Sequence, residues 1–159
     1  MKFLILPLLI DSRAKTQDSS ATEFVMQSLL FIALGGALGA LGRFWAGLAA
    51  TALFGGRFPV GTLFVNVTGS FIIGLVASAI AAGHLAPSPW DDFLIQGFCG
   101  ALTTFSTFSM DNFRLFREGR MWSAWDNLIL STVLCLAAAA FGLSLFSPEA
   151  VPATAPAHP

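Results

Sequence analysis

From Val60 to Ala82 the chain carries no charged side chain, and that one run limits the fold more than any other feature. It is about as long as the roughly 20 apolar residues a helix needs to cross a hydrocarbon core of about 30 Å. Lipid offers no hydrogen bonds, so each backbone N–H and C=O along such a run must find its partner within the protein. A helix satisfies that demand; a loop or an open sheet edge does not. Similar apolar stretches occupy Ser28 to Phe54, Phe93 to about Met110, and Leu128 to Phe146. The expected fold is therefore an all-α membrane protein with four transmembrane helices, at 28–54, 60–82, 93–110 and 128–146. Composition agrees, with 55% of residues hydrophobic and only 11% charged.

Punctuation between the spans is clear. Gly55 to Pro59, GGRFP, reads as a turn, and Gly83 to Asp92, GHLAPSPWDD, as a loop with Trp90 at the membrane interface. Asp111 to Trp125 carries Arg114, Arg117, Glu118 and Arg120 and reads as a solvated connector. Residues 1–27 read as an extension upstream of the functional start or a mobile tail, and residues 147–159, rich in Pro and Ala, as a disordered tail. The basic residues divide as Lys2, Arg13 and Lys15 on one side against Arg57, Arg114, Arg117 and Arg120 on the other. Such a balance barely specifies orientation.

The third span is unlike the others. Gly97 to Ser109, GFCGALTTFSTFS, sets glycines, paired threonines and a hydroxyl/phenylalanine alternation where a plain spanning helix would carry leucine. Gly costs roughly 1 kcal/mol against Ala in a helix interior, and Thr loses rotamer freedom there. A break near Gly100 to Thr103 is the expectation, and broken helices at membrane depth line cavities or bind ions.

Polar residues in the other spans fall at helical intervals. Gly35, Gly39, Arg43 and Gly47 share one face of the first, Asn66, Ser70, Gly74 and Ser78 one face of the second, and Asn127, Ser131 and Cys135 one face of the fourth. Small residues at this spacing let helices approach closely, whereas a cation such as Arg43 must face water or a partner. No acidic residue lies inside a span; Asp92 and Asp111 bracket the third and Asp126 precedes the fourth. That argues against a proton-coupled antiporter and against a cation pore with acidic rings. What remains is a donor-rich set: Thr103, Thr104, Ser106, Thr107, Ser109 and Ser131 with the amide of Asn66. Such donors suit a small anion that must exchange its water shell. Phe105 and Phe108, at i and i+3, either present positive ring edges to an anion or simply pack. Carbonyls freed at the break would instead make a cation site. Cys99 and Cys135 lie in apolar stretches and read as small hydrophobes; no nucleophile and base pair or metal cluster marks an enzyme. A net charge of -1 gives no footprint for nucleic acid.

GGALGALGR at Gly35 to Arg43, GTLFVNVTGSFIIG at Gly61 to Gly74 and GFCGALTTFSTFS at Gly97 to Ser109 together resemble the signatures of the Fluc (CrcB) fluoride channel family. The resemblance spans Ser28 to Phe146. It implies an antiparallel, dual-topology homodimer of four-helix subunits in the inner membrane of a bacterium, with two pores that export fluoride passively down its gradient. On that resemblance Phe105 and Phe108 are pore-lining rings, Asn66 and Ser131 polar pore positions, and Thr104 and Thr107 neighbouring donors. Gly100 and Thr103 correspond to positions whose backbone carbonyls hold a structural sodium ion at the dimer centre, and Arg43 to an arginine near the vestibule. Two departures stand out: Ala101 where a second glycine is frequent, and Phe44 where tyrosine frequently follows the arginine. The other classes open to such a chain are a small four-helix proton-coupled exporter and a non-transporting membrane packing subunit.

Overall fold

The computed structural model describes residues 5–146, with side chains from residue 20 onward. The tail expected at 147–159 lies outside the described residues. All regular structure within them is helical: α1 (Ile5–Phe54), α2 (Val60–Ala81), α3 (Pro87–Trp90), a π-helical segment (Asp91–Cys99), α4 (Gly100–Leu102), α5 (Phe105–Arg117) and α6 (Met121–Ser144). Three stretches are long and apolar enough to cross a bilayer: Ser20–Phe54, Val60–Ala81 and Met121–Ser144. The fourth crossing is the interrupted series from the π segment through α5, so the expected four helices with a broken third are present.

Two boundaries differ from those read in the sequence. The first helix begins upstream of Ser28, so residues 20–27, expected as part of an extension or mobile tail, continue the spanning helix. The supposed connector from Asp111 to Trp125 is mostly helix. Only Glu118, Gly119 and Arg120 separate α5 from α6. The charges are real but sit on one side of α5, while Asn112 and Leu115 are buried on the other.

Short turns fix the up-and-down course of the chain. Gly55 and Gly56 end α1 with φ of 74° and 67°, Gly83 follows α2 with φ of 77°, and Gly119 ends α5 with φ of 71°. All lie in the left-handed region that glycine enters without a Cβ penalty. At one end of the bundle an Arg120 N–H donates to the Arg57 carbonyl, and Thr62 donates to Asp111 Oδ2 at 2.8 Å. At the other end Ser28 donates to Asp92 Oδ2 at 2.8 Å and Gln96 to Asp92 Oδ1 at 3.2 Å.

Packing between helices relies on glycine, as the spacing of small residues predicts for a lipid environment where apolar burial drives little association. A Cβ on Gly35 would strike the carbonyl of Phe93, and one on Gly39 the carbonyl of Phe98. Gly97 faces them, with room for a Cβ only 2.7 Å from the Ile32 carbonyl. A second seam joins α2 to α6, where Gly74 abuts the Ala139 carbonyl and Gly142 the Phe71 carbonyl. Phe71 and Phe141 stack beside it with centroids 5.8 Å apart. The buried core, Val65, Val76, Ala79, Cys99, Leu102, Leu115 and Ala124, is small. Large apolar side chains such as Leu34, Leu38, Trp45, Val133 and Leu136 point outward instead, as expected where the surrounding medium is hydrocarbon.

Candidate functional site

The break lies at Thr103 and Thr104, whose backbones are extended with φ/ψ of −81°/155° and −155°/116°. Asn66 on α2 holds it open. Its Oδ1 accepts the Thr104 N–H at 2.7 Å and its Nδ2 donates to the Thr104 carbonyl at 3.1 Å. In an unbroken helix that N–H would bond the carbonyl four residues back, at Gly100. Thr104 then caps the resumed helix, its Oγ1 accepting the N–H of Thr107 at 3.1 Å. The carbonyl of Thr103 loses its helical partner in turn. Side chains thus replace two of the four backbone bonds that a continuous helix would make across the break, those of the Thr104 and Thr107 N–H groups.

Beside the break opens a groove of about 290 Å³ lined by Asn66, Ser70, Ile73, Thr103, Thr104, Phe105, Phe108, Ser131, Thr132 and Cys135. Five of the residues assigned to the pore by the sequence meet here: Asn66, Thr104, Phe105, Phe108 and Ser131. The rings of Phe105 and Phe108 stand 5.6 Å apart at 46°, and Phe105 remains 78% exposed. No carboxylate lines the groove. Thr107 and Arg43 are placed elsewhere. They line a second cavity on the far side of the break, with Thr104 reaching both. Arg43 extends an N–H towards the Thr103 carbonyl at 3.5 Å, the outer limit of a hydrogen bond.

The donor-rich reading of the hydroxyls changes once their protons are followed. Thr103 donates back to the Cys99 carbonyl at 2.9 Å, Ser109 to the Phe105 carbonyl at 2.9 Å, and Thr104 to Thr107 Oγ1 at 3.2 Å. Ser131 donates to Asn127 Oδ1 at 3.2 Å, Asn127 to Asn112 Oδ1 at 3.1 Å, and Asn112 to the Phe108 carbonyl at 2.7 Å. The carbonyl of Phe108 can only accept, so the direction of the whole chain is set from that end. This ladder ties α6 to α5 directly behind the groove. Asn112 was hidden from the sequence reading by its charged neighbours; its signal was the four-residue step from Phe108.

Among the described residues no group of three or more His, Cys, Asp or Glu is placed to hold a metal ion. Backbone carbonyls offer the alternative. Those of Gly100 and Thr103 are among the four that lose their helical partners at the break, here to Asn66 and to the Thr104 side chain. Neutral carbonyl oxygens suit a hard cation, so the residues present fit a sodium ion. Both flanking carboxylates are occupied. Asp92 accepts from Ser28 and Gln96, and Asp111 from Thr62 while lying 3.7 Å from Arg114.

Comparison with known proteins places these elements in a family. Residues 30–143 match the model of the CrcB-like proteins, described by the label camphor resistance. A fluoride-specific ion channel FluC of Vibrio parahaemolyticus is 50% identical over 115 residues, which cover 72% of this chain and 91% of the relative. The protein of the same name from Vibrio cholerae is 48% identical over 112 residues, 70% of this chain and 89% of the relative. Its counterpart in Methylococcus capsulatus is 46% identical over 118 residues, 74% of this chain and 52% of that longer protein. The matched region reaches into all four crossings and contains the break and the groove residues, and the chain belongs to the CrcB family.

Proposed function

We propose that the protein is a fluoride-selective ion channel, and not an enzyme. The observation that carries this reading is the groove at the helix break, where amide and hydroxyl groups and two aromatic rings meet without a carboxylate. Fluoride is small and strongly hydrated, and it can enter an apolar bilayer only if protein groups replace its water shell. Hydrogen-bond donors and the positive edges of phenylalanine rings do so without a fixed positive charge that would trap the ion. The names of the relatives from Vibrio and Methylococcus point to the same ion.

Flow is passive in this reading, since nothing in the groove carries a proton against the anion. Phe105 and Phe108 face the ion with their ring edges, Asn66 and Ser131 border its path, and Thr104 holds the break. Arg43, on the other side, draws anions towards the wall shared with Thr107. The working unit is an antiparallel homodimer in the inner membrane of a bacterium. The 78% exposure of Phe105 supports it, because a pore ring open on one side calls for a second wall. A sodium ion bound to the carbonyls of Gly100 and Thr103 would neutralise the oxygen-rich break.

Fluoride efflux from liposomes containing the purified protein, followed with a fluoride electrode, tests this directly. The expected result is rapid efflux that an imposed proton gradient leaves unchanged. Absence of flux from a well-folded preparation would overturn the reading.

A further inference from the structure

Six side chains of the groove can hydrogen-bond through N or O: Asn66, Ser70, Thr103, Thr104, Ser131 and Thr132. A hydroxyl has one proton to give, so an anion depends on protons not already given to the protein. Thr103 gives its proton to the Cys99 carbonyl, Thr104 to Thr107, Ser131 to Asn127, and Thr132 to the Leu128 carbonyl at 2.8 Å. Asn66 spends one of its two Nδ2 protons on the Thr104 carbonyl. Ser70 is different. It is half-buried on the groove wall, one helical turn from Asn66, and its hydroxyl makes no hydrogen bond among the described residues.

The other members of its stripe on α2 are all engaged. Asn66 clasps Thr104, Gly74 abuts α6, and Ser78 shares its one proton between the carbonyls of Leu75 and Gly142, at 2.9 and 3.0 Å. We infer that Ser70 is an anion-binding residue whose free hydroxyl proton, together with the second N–H of Asn66, binds the anion in the groove. For Ser131 to donate to the ion it would have to abandon Asn127, which is 1% exposed and would be left with an unsatisfied oxygen. Ser70 incurs no such loss. This inference rests on the proposed channel function and adds to it the group that takes over from water on the α2 side.

The experiment uses the full chain in liposomes with a fluoride electrode. Ser70→Ala should lower the initial fluoride efflux by about tenfold, the weight of one hydrogen bond to a charged group. Its thermal unfolding in detergent should match that of the unsubstituted protein, since alanine removes no protein hydrogen bond. Ser70→Thr, which restores a hydroxyl, should keep most of the flux. Efflux of Ser70→Ala at the unsubstituted rate would overturn the assignment, as would an equal loss in Ser70→Thr, which would trace the effect to volume. Failure of the unsubstituted protein to pass fluoride would instead overturn the channel reading and this inference with it.

Discussion

Asn66 and Thr104 exchange two hydrogen bonds across 38 residues of sequence, side-chain oxygen to backbone N–H at 2.7 Å and side-chain nitrogen to backbone carbonyl at 3.1 Å. The carboxamide imitates a stretch of backbone. It takes the place of the Gly100 carbonyl that the Thr104 N–H forgoes, and it does so with a residue that also lines the groove.

Replacing Asn66 therefore separates two contributions. Asn66→Ala leaves the backbone N–H of the 7% exposed Thr104 without a partner, at a cost of about 2 kcal/mol. Asn66→Asp keeps the acceptor but loses the donor and brings negative charge to the groove. Denaturant unfolding in detergent should show the alanine variant clearly destabilised. Liposome efflux should show the aspartate variant silent to fluoride, and normal flux from it would remove Asn66 from the ion's path.

Phe105→Ile and Phe108→Ile should suppress fluoride efflux while the protein remains assembled. Because Phe105 is 78% exposed, its truncation should change the stability of the isolated subunit by less than about 1 kcal/mol. Size-exclusion chromatography alongside flux decides the matter: loss of assembly together with flux would make the rings packing elements.

The α2–α6 seam gives a structural prediction with an internal control. Gly142→Ala pushes a methyl into the Phe71 carbonyl and should destabilise by about 1–3 kcal/mol. Gly36→Ala, whose Cβ would come no nearer than 4.0 Å to the Gly97 carbonyl, should stay within about 0.5 kcal/mol of the parent. Equal melting temperatures for the two variants would mean that the seam is looser than its geometry implies.

Sodium removal addresses the carbonyls of Gly100 and Thr103. Purification with an organic cation in place of sodium should lower the melting temperature, and sodium should restore it in proportion to its concentration, as for any ligand that binds only the folded state. Unfolding that ignores sodium would leave those carbonyls to Arg43 and solvent.

Much of this architecture could be read from the chain because the bilayer leaves few choices. Charge-free length gave α2, and the glycine and threonine content of Gly97 to Ser109 gave an interruption. Its position depended on Asn66, a residue distant in sequence that captures the Thr104 N–H. The π-helical run from Asp91 to Cys99 had no local signal either, being formed where α1 presses its glycines against the chain. Arg114, Arg117 and Glu118 masked the helical period of Asn112 and Leu115, because a charge count sees composition and not the face each side chain occupies. Above all, residue types revealed which groups could donate but not where their protons go. Thr103 and Ser131 counted as donors in sequence, and in the fold they offer the groove lone pairs, which leaves Ser70 to do what they cannot.

The two glycine seams bear on how traffic through such a protein could be controlled. Where one backbone rests on another there is no cushion of side chains to rearrange, and at Gly39, Gly74 and Gly142 even a single Cβ would run into a carbonyl. The frame is jointed like carpentry, without the play that a gate needs. On the proposed channel function, a conduit built this way stands open whenever it is assembled, and its throughput is then set by how many copies the membrane holds.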